Sequence, residues 1–79
     1  MPIIKLYGNI KEIIGKPELT VVCQTLKDVF TYLSQVYQLS PEPIYIVIVN
    51  GQSVSLERDP VIKLKGSDVV EIIPPIGGG

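Results

Sequence analysis

One segment of the chain has the periodicity of a long amphipathic helix, and it limits the folds open to the rest. Thr25 stands where an N-cap belongs, and Asp28 follows three residues later in a variant of the capping box. Pro41 and Pro43 predict where the helix ends. One helix covers one face of a small sheet, so a two-layer α+β fold is expected. Apolar residues recur at steps of three and four and form one stripe: Leu26, Val29, Phe30, Leu33, Val36 and Tyr37.

The other apolar segments are short, rich in β-branched residues and separated by turn residues, which is typical of strands. The Asn50-Gly51 pair predicts a tight hairpin turn. Residues 10–15 place isoleucines at helical spacing for barely one turn, and we interpret them as a connector that packs its isoleucines inward. Strands are predicted at residues 2–7, 18–22, 44–49, 54–56 and 69–73, with a further short extended piece at 62–64.

The order of these elements predicts a β-grasp fold. Two strands precede the helix and two or three follow it, and the last strand then lies beside the first. We therefore predict an α+β β-grasp domain over residues 1–73, with a mixed sheet of four to five strands packed on one helix. An extended C-terminal tail, residues 74–79, follows the domain.

Composition argues against several functional classes. Seven Lys and Arg residues are balanced by eight Asp and Glu residues, so the chain lacks the basic excess of a nucleic-acid-binding protein. It shows neither a membrane-length apolar run nor a leader, so we expect no membrane partner and a cytoplasmic location. With one cysteine, Cys23, and no histidine, neither a disulfide, a Cys/His zinc site nor a histidine base is expected.

The predicted last strand leaves an apolar surface without a partner. Glu71 has to face solvent because an unpaired buried carboxylate is costly, and strand alternation then turns Val69 and Ile73 outward as well. The segment 44–49 is apolar on both faces, so one of its faces also points outward. We interpret this outer face as a docking surface for a partner protein. A covering loop, or tolerance of scattered exposed apolar side chains, is the alternative.

The candidate reactive group of the chain lies at the end of the C-terminal tail. Pro74 and Pro75 cannot extend a sheet and favour an extended path away from the domain, while glycines fit channels too narrow for other residues. The tail reaches at most about 20 Å and ends at the carboxylate of Gly79, which is ionised at neutral pH. Adenylation with ATP would activate this carboxylate for displacement of AMP by sulfide equivalents or an amine. A loose glycine terminus or a linker is the alternative.

In these motifs the sequence resembles the MoaD-type sulfur carriers, which are small subunits of molybdopterin synthase within the ubiquitin-like β-grasp group. The resemblance covers essentially the whole chain, from the opening strand that ends near Tyr7 and the turn at Gly15, through the capped helix and the Asn50-Gly51 hairpin, to the Pro-Pro spacer before the final glycines. Two positions depart from the family pattern. Gly77 stands where a small or polar residue is usual, and Ile73 stands where a bulky aromatic residue often docks on partners.

The resemblance implies a carrier that is not an enzyme on its own and that binds no cofactor. A ubiquitin-activating-type adenylyltransferase would use ATP and magnesium to adenylate Gly79, and a persulfide donor would supply sulfur for a thiocarboxylate. The large synthase subunit would then use that sulfur to build the dithiolene of molybdopterin. The other tail contacts implied are Gly77 and Gly78 in the partner's channel, with Ile73, Pro74, Pro75 and Ile76 docking on the partner.

Three other functions are weighed beside this one. Thiazole-synthesis sulfur carriers share the fold and the Gly-Gly end but are usually shorter and lack the Pro-Pro spacer. A ubiquitin-like protein modifier would couple Gly79 to lysines through the same adenylate. A pure β-grasp interaction module would not need its tail.

Overall fold

The first and last strands lie side by side at the centre of one sheet. The computed structural model describes residues 1–40 and 45–75. The strand order is β2-β1-β5-β3-β4, with β1 and β5 parallel and the other neighbours antiparallel. This mixed five-stranded sheet confirms the predicted β-grasp fold. The elements in chain order are β1 (Ile3–Leu6), α1 (Gly8–Ile14), β2 (Glu18–Thr20), α2 (Leu26–Tyr37), β3 (Ile46–Val49), β4 (Gln52–Val54) and β5 (Val69–Ile73).

The capping box predicted for α2 is present. The hydroxyl of Thr25 accepts the Asp28 N–H at 3.3 Å, and the Asp28 carboxylate accepts the N–H groups of Gln24 and Thr25 at 3.0 and 3.1 Å. These bonds favour the charged carboxylate and hold the pKa of Asp28 below its usual range. The helix ends at Tyr37 because Gln38 takes a left-handed conformation with φ 54°, whereas Pro41 and Pro43 lie outside the described residues.

The hydrophobic core formed by the described residues lies between the inner face of the sheet and the two helices. Alternate residues of the three central strands point into it, and α2 adds Leu26, Val29 and Leu33. Val70 and Ile72 of β5 are completely buried, as expected for the middle strand of the sheet. The inward-facing strand residues are Ile4, Leu6, Val47, Val49, Val70 and Ile72.

The predicted one-turn connector is a seven-residue helix, α1. Ile10 and Ile14 are buried in the core, but Ile13 is 54% exposed, so the expectation that the isoleucines all pack inward is wrong. The reason is geometric, since successive residues are rotated by about 100° around a helix and Ile13 therefore leaves the face that Ile10 and Ile14 share.

The Asn50-Gly51 turn is confirmed and sets the register of the second hairpin. Both residues have positive φ, 50° and 83°, as a type I′ turn requires. Val49 then pairs with Gln52, so β4 begins two residues earlier than the predicted segment 54–56.

Four other predicted segments differ in extent. β1 covers Ile3–Leu6 instead of residues 2–7. β2 stops at Thr20, and β3 begins at Ile46, while Ile44 lies outside the described residues. The extended piece at 62–64 contributes only a bridge between Lys63 and Thr25. No helix within the described residues is long and apolar enough to cross a membrane.

Candidate functional site

The middle strand of the sheet leads directly into the tail. β5 pairs with β1 over residues 69–72 and with β3 over residues 70–73, so that Ile72 lies opposite Leu6 of β1 and Ile73 lies opposite Ile46 of β3. After Ile73 the chain continues as Pro74, which is half-buried, and Pro75, which is exposed. Proline has no N–H to donate to a ladder, so strand pairing stops here. The base of the tail is therefore held by the most extensively paired strand of the fold.

The first residue of the tail packs against the start of α1. A Cβ placed on Gly8 would lie 2.7 Å from Cγ of Pro74 and 3.3 Å from its Cδ, and Gly8 has a φ of +59°. The N–H of Tyr7 donates to the carbonyl of Ile72 at 3.3 Å, which adds one backbone hydrogen bond just beyond the end of β1. The Pro74 ring thus occupies the space that a side chain at Gly8 would need.

An open apolar strip crosses the outer face of the sheet beside this point. Alternation along β5 is as predicted, because Val69, Glu71 and Ile73 are only partly buried. In β3 the sequence left both orientations open, and the structure turns Val47 and Val49 inward. The outer apolar strip consists of Tyr7, Ile46, Ile48 and Ile73.

The strip has a polar border on β5 and β1. The Tyr7 hydroxyl donates to Oε2 of Glu71 at 2.8 Å, and this bond raises the pKa of Tyr7 above its usual value. Lys5 pairs in register with Glu18 on one side and Glu71 on the other. Tyr7 and Ile46 are each 39% exposed, so the described part of the chain leaves the strip accessible. An apolar centre with charged neighbours is the usual composition of a protein-docking surface.

The structure brings together three of the predicted site residues. Ile73, Pro74 and Pro75 lie consecutively where the chain leaves the sheet. The division into a domain of residues 1–73 and a tail stays a prediction. The site residues Ile76, Gly77, Gly78 and Gly79 lie outside the described residues, and their roles also stay predictions.

Two residues that the sequence analysis did not single out belong to this site, namely Gly8 and Tyr7. The parallel register pairs Leu6 with Ile72, and extending it by two residues places Gly8 level with Pro74. In the sequence alone, the Gly8-Asn9 pair indicates only a turn after the first strand. Knowledge of the register of β1 on β5 is the signal that would have revealed its contact with the tail.

Cys23 and the acidic side chains offer no competing centre in the part of the chain that the structure describes. Burial raises the pKa of the Cys23 thiol, as expected for a packed cysteine rather than a reactive one. No group of three or more Cys, Asp or Glu side chains in the described ranges is arranged to hold a metal ion.

Known proteins resemble this chain along nearly its whole length. The molybdopterin synthase sulfur carrier subunit of Dictyostelium discoideum is 28% identical, and the match covers 96% of this chain and 93% of that protein. The small archaeal modifier protein 1 of Methanosarcina acetivorans superposes with a TM-score of 0.82 at 26% identity, covering 99% of this chain and 95% of that chain.

A third relative shares the fold. It is a chain in the structure of the complex of subunits 1 and 2 of the molybdopterin-converting factor from Helicobacter pylori. This chain superposes with a TM-score of 0.72 at 20% identity, and the match covers 99% of our chain and 97% of the Helicobacter pylori chain. The resemblance to MoaD-type carriers that the sequence motifs predicted is confirmed by these relatives. Because the sequence model of the ThiS family matches residues 4–79, the chain belongs to the ThiS family.

Proposed function

We propose that this protein is a sulfur carrier and the small subunit of a molybdopterin synthase. The observation on which the proposal rests is that β5, fixed at the centre of the sheet, leads into a Pro-Pro-Ile-Gly-Gly-Gly tail beside an open apolar strip. The name of the Dictyostelium discoideum relative, which matches nearly the full length, supports the same function.

The reacting group in this proposal is the carboxylate of Gly79. A carboxylate oxygen attacks the α-phosphorus of ATP, pyrophosphate leaves, and an acyl-adenylate forms on the chain. The terminal sulfur of a donor persulfide attacks the acyl carbon and AMP leaves. The product is an acyl disulfide, and a second thiol of the donor then attacks its inner sulfur and breaks the S–S bond that came from the persulfide, which leaves a thiocarboxylate on Gly79 and a disulfide on the donor. This route needs no nucleophilic or basic side chain from the carrier.

The contribution of the carrier is to present the tail. ATP and magnesium would be held by the activating adenylyltransferase, and the large synthase subunit would dock on the outer apolar strip while the glycines enter its active site. The Helicobacter pylori neighbour is itself a complex of two subunits, which supports a large-subunit partner for this chain. An extended tail entering a partner from a rigid sheet loses little further entropy at its base.

Intact-mass measurement tests this function. We expect the native protein to have the mass of a chain ending at Gly79, and incubation with ATP, an activating enzyme and a sulfur donor to add about 16 Da, since one oxygen is exchanged for sulfur. The shift should require ATP. As a positive control, the same enzyme preparation has to thiocarboxylate its natural carrier protein. If that control succeeds and the mass of this chain stays unchanged, the proposal is contradicted.

A second candidate function is favoured by the similarity to small archaeal modifier protein 1. If the chain is a modifier, a lysine amine instead of sulfur displaces AMP and forms an isopeptide bond to Gly79. We then expect a ladder of higher-mass conjugates when the tagged chain is expressed in cells that contain its activating enzyme. A variant that lacks Gly79 is the control. A single band at the mass of the free carrier would contradict the modifier function.

A further inference from the structure

Gly8 differs from the other glycines that have a positive φ. Gly15 and Gly51 have φ values of +83°, and a Cβ at either position would meet no atom within 4 Å. Their backbone conformation is enough to explain them. A Cβ at Gly8 would instead overlap the Pro74 ring, with only 2.7 Å to Cγ. Gly8 is therefore required by a close contact as well as by its backbone.

This contact lies where two parallel segments of the chain separate. β1 and β5 run in the same direction and stay paired through Leu6 and Ile72, and the N–H of Tyr7 adds a bond to the Ile72 carbonyl. At Gly8 the first segment turns into α1, while the second continues as Pro74. The start of α1 thus lies against one side of the tail at its first residue.

We propose that Gly8 is a positioning residue for the tail. By leaving room for the Pro74 ring against α1, it sets the direction in which the chain leaves the domain at Pro74 and Pro75. The inference rests on the proposed function, because this direction matters if Gly79 has to reach the active site of the activating enzyme while the domain is bound to that enzyme. The five residues after Pro74 can span at most about 17 Å. If the chain leaves Pro74 in a different direction, this short segment cannot easily bring the carboxylate of Gly79 to the same active site.

Two alanine variants separate tail positioning from helix stability. Gly8→Ala and Gly15→Ala each place a Cβ at positive φ, one at either end of the same short helix, so we expect similar decreases in the urea midpoint. Only Gly8→Ala displaces Pro74. We expect the KM of the activating enzyme for the Gly8→Ala carrier to be about five times its KM for the Gly15→Ala carrier, with kcat nearly unchanged. The reason is that fewer Gly8→Ala molecules present a tail in a conformation that can react.

Pro74→Ala provides a second measurement should Gly8→Ala fold poorly. It removes the ring atoms that approach Gly8, so KM is again expected to rise. In the double variant Gly8→Ala/Pro74→Ala the new methyl group has no ring to displace. The effect of Gly8→Ala on KM is therefore expected to disappear in the Pro74→Ala background, as a double-mutant cycle would show.

Two results would overturn the inference. One is an equal KM for Gly8→Ala and Gly15→Ala, and the other is a KM increase from Gly8→Ala that persists in the Pro74→Ala background. Failure of the proposed function has a different signature, because the unaltered carrier would then show no ATP-dependent activation in the same assay.

Discussion

A chain shortened to end at Gly77 is expected to form almost no thiocarboxylate while it keeps the stability of the full chain. The shortened chain still ends in a glycine carboxylate, so its intrinsic reactivity is unchanged. Removing Gly78 and Gly79 withdraws that carboxylate by about 7 Å. Since misplacement by even 1 Å can cost about a hundredfold in rate, we expect activation to fall below about one hundredth of the full-length rate.

The stability of the shortened chain is the first control for this experiment. The buried hydrophobic residues in the described ranges run from Ile4 to Ile72, so the urea midpoint is expected to stay within error of the full chain. Gly77→Ala is the second control, because it keeps the length of the tail and places a small residue where the resemblance allows one. We expect this variant to retain activity within a few-fold.

The measurement is the intact-mass shift over time with an activating enzyme, ATP and a sulfur donor. If the shortened chain instead supports cofactor synthesis at the full rate, the tail is dispensable. That result would favour the interaction-module alternative, in which the outer apolar strip alone binds the partner.

The parts of the fold that the sequence predicted well are those set by local signals. Thr25 and Asp28 fix the start of α2 within one helical turn, and the Asn50-Gly51 pair fixes a two-residue turn through its φ preference. The orientation of β5 followed from the cost of burying Glu71, since a period of two then assigns every other residue of the strand. These signals act over a few residues and need no knowledge of the rest of the chain.

The parts that sequence analysis missed depend on contacts between distant segments. The hydrogen bond from Tyr7 to Glu71 joins residues 64 positions apart, and the contact of Gly8 with Pro74 depends on the same pairing of β1 with β5. The β-grasp order predicts that these strands are neighbours, but it does not give their register. The end of α2 at Tyr37, before the prolines, was missed because a left-handed residue other than glycine, here Gln38, has only a weak sequence signal.

Replacing Ile73 by lysine is expected to weaken binding of the large synthase subunit by about 30-fold or more, as for a residue at the centre of an interface. Ile73 pairs with Ile46 across the strip and stands directly before Pro74. In the free carrier a lysine here can extend its ammonium group into solvent, so the fold is retained. In the complex the same ammonium group loses water without gaining a partner, which is costly.

Val36→Lys is the matched control for Ile73→Lys, because Val36 is 50% exposed on α2 in the opposite layer of the fold. Its affinity for the large subunit, measured by calorimetry, should stay within about twofold of the unaltered carrier, as for a residue outside the interface. At saturating large subunit, Ile73→Lys should still transfer sulfur, because the strip positions the carrier whereas the tail supplies the reacting group. Equal losses of affinity in the two variants, or none in a folded Ile73→Lys protein, would place the docking surface elsewhere.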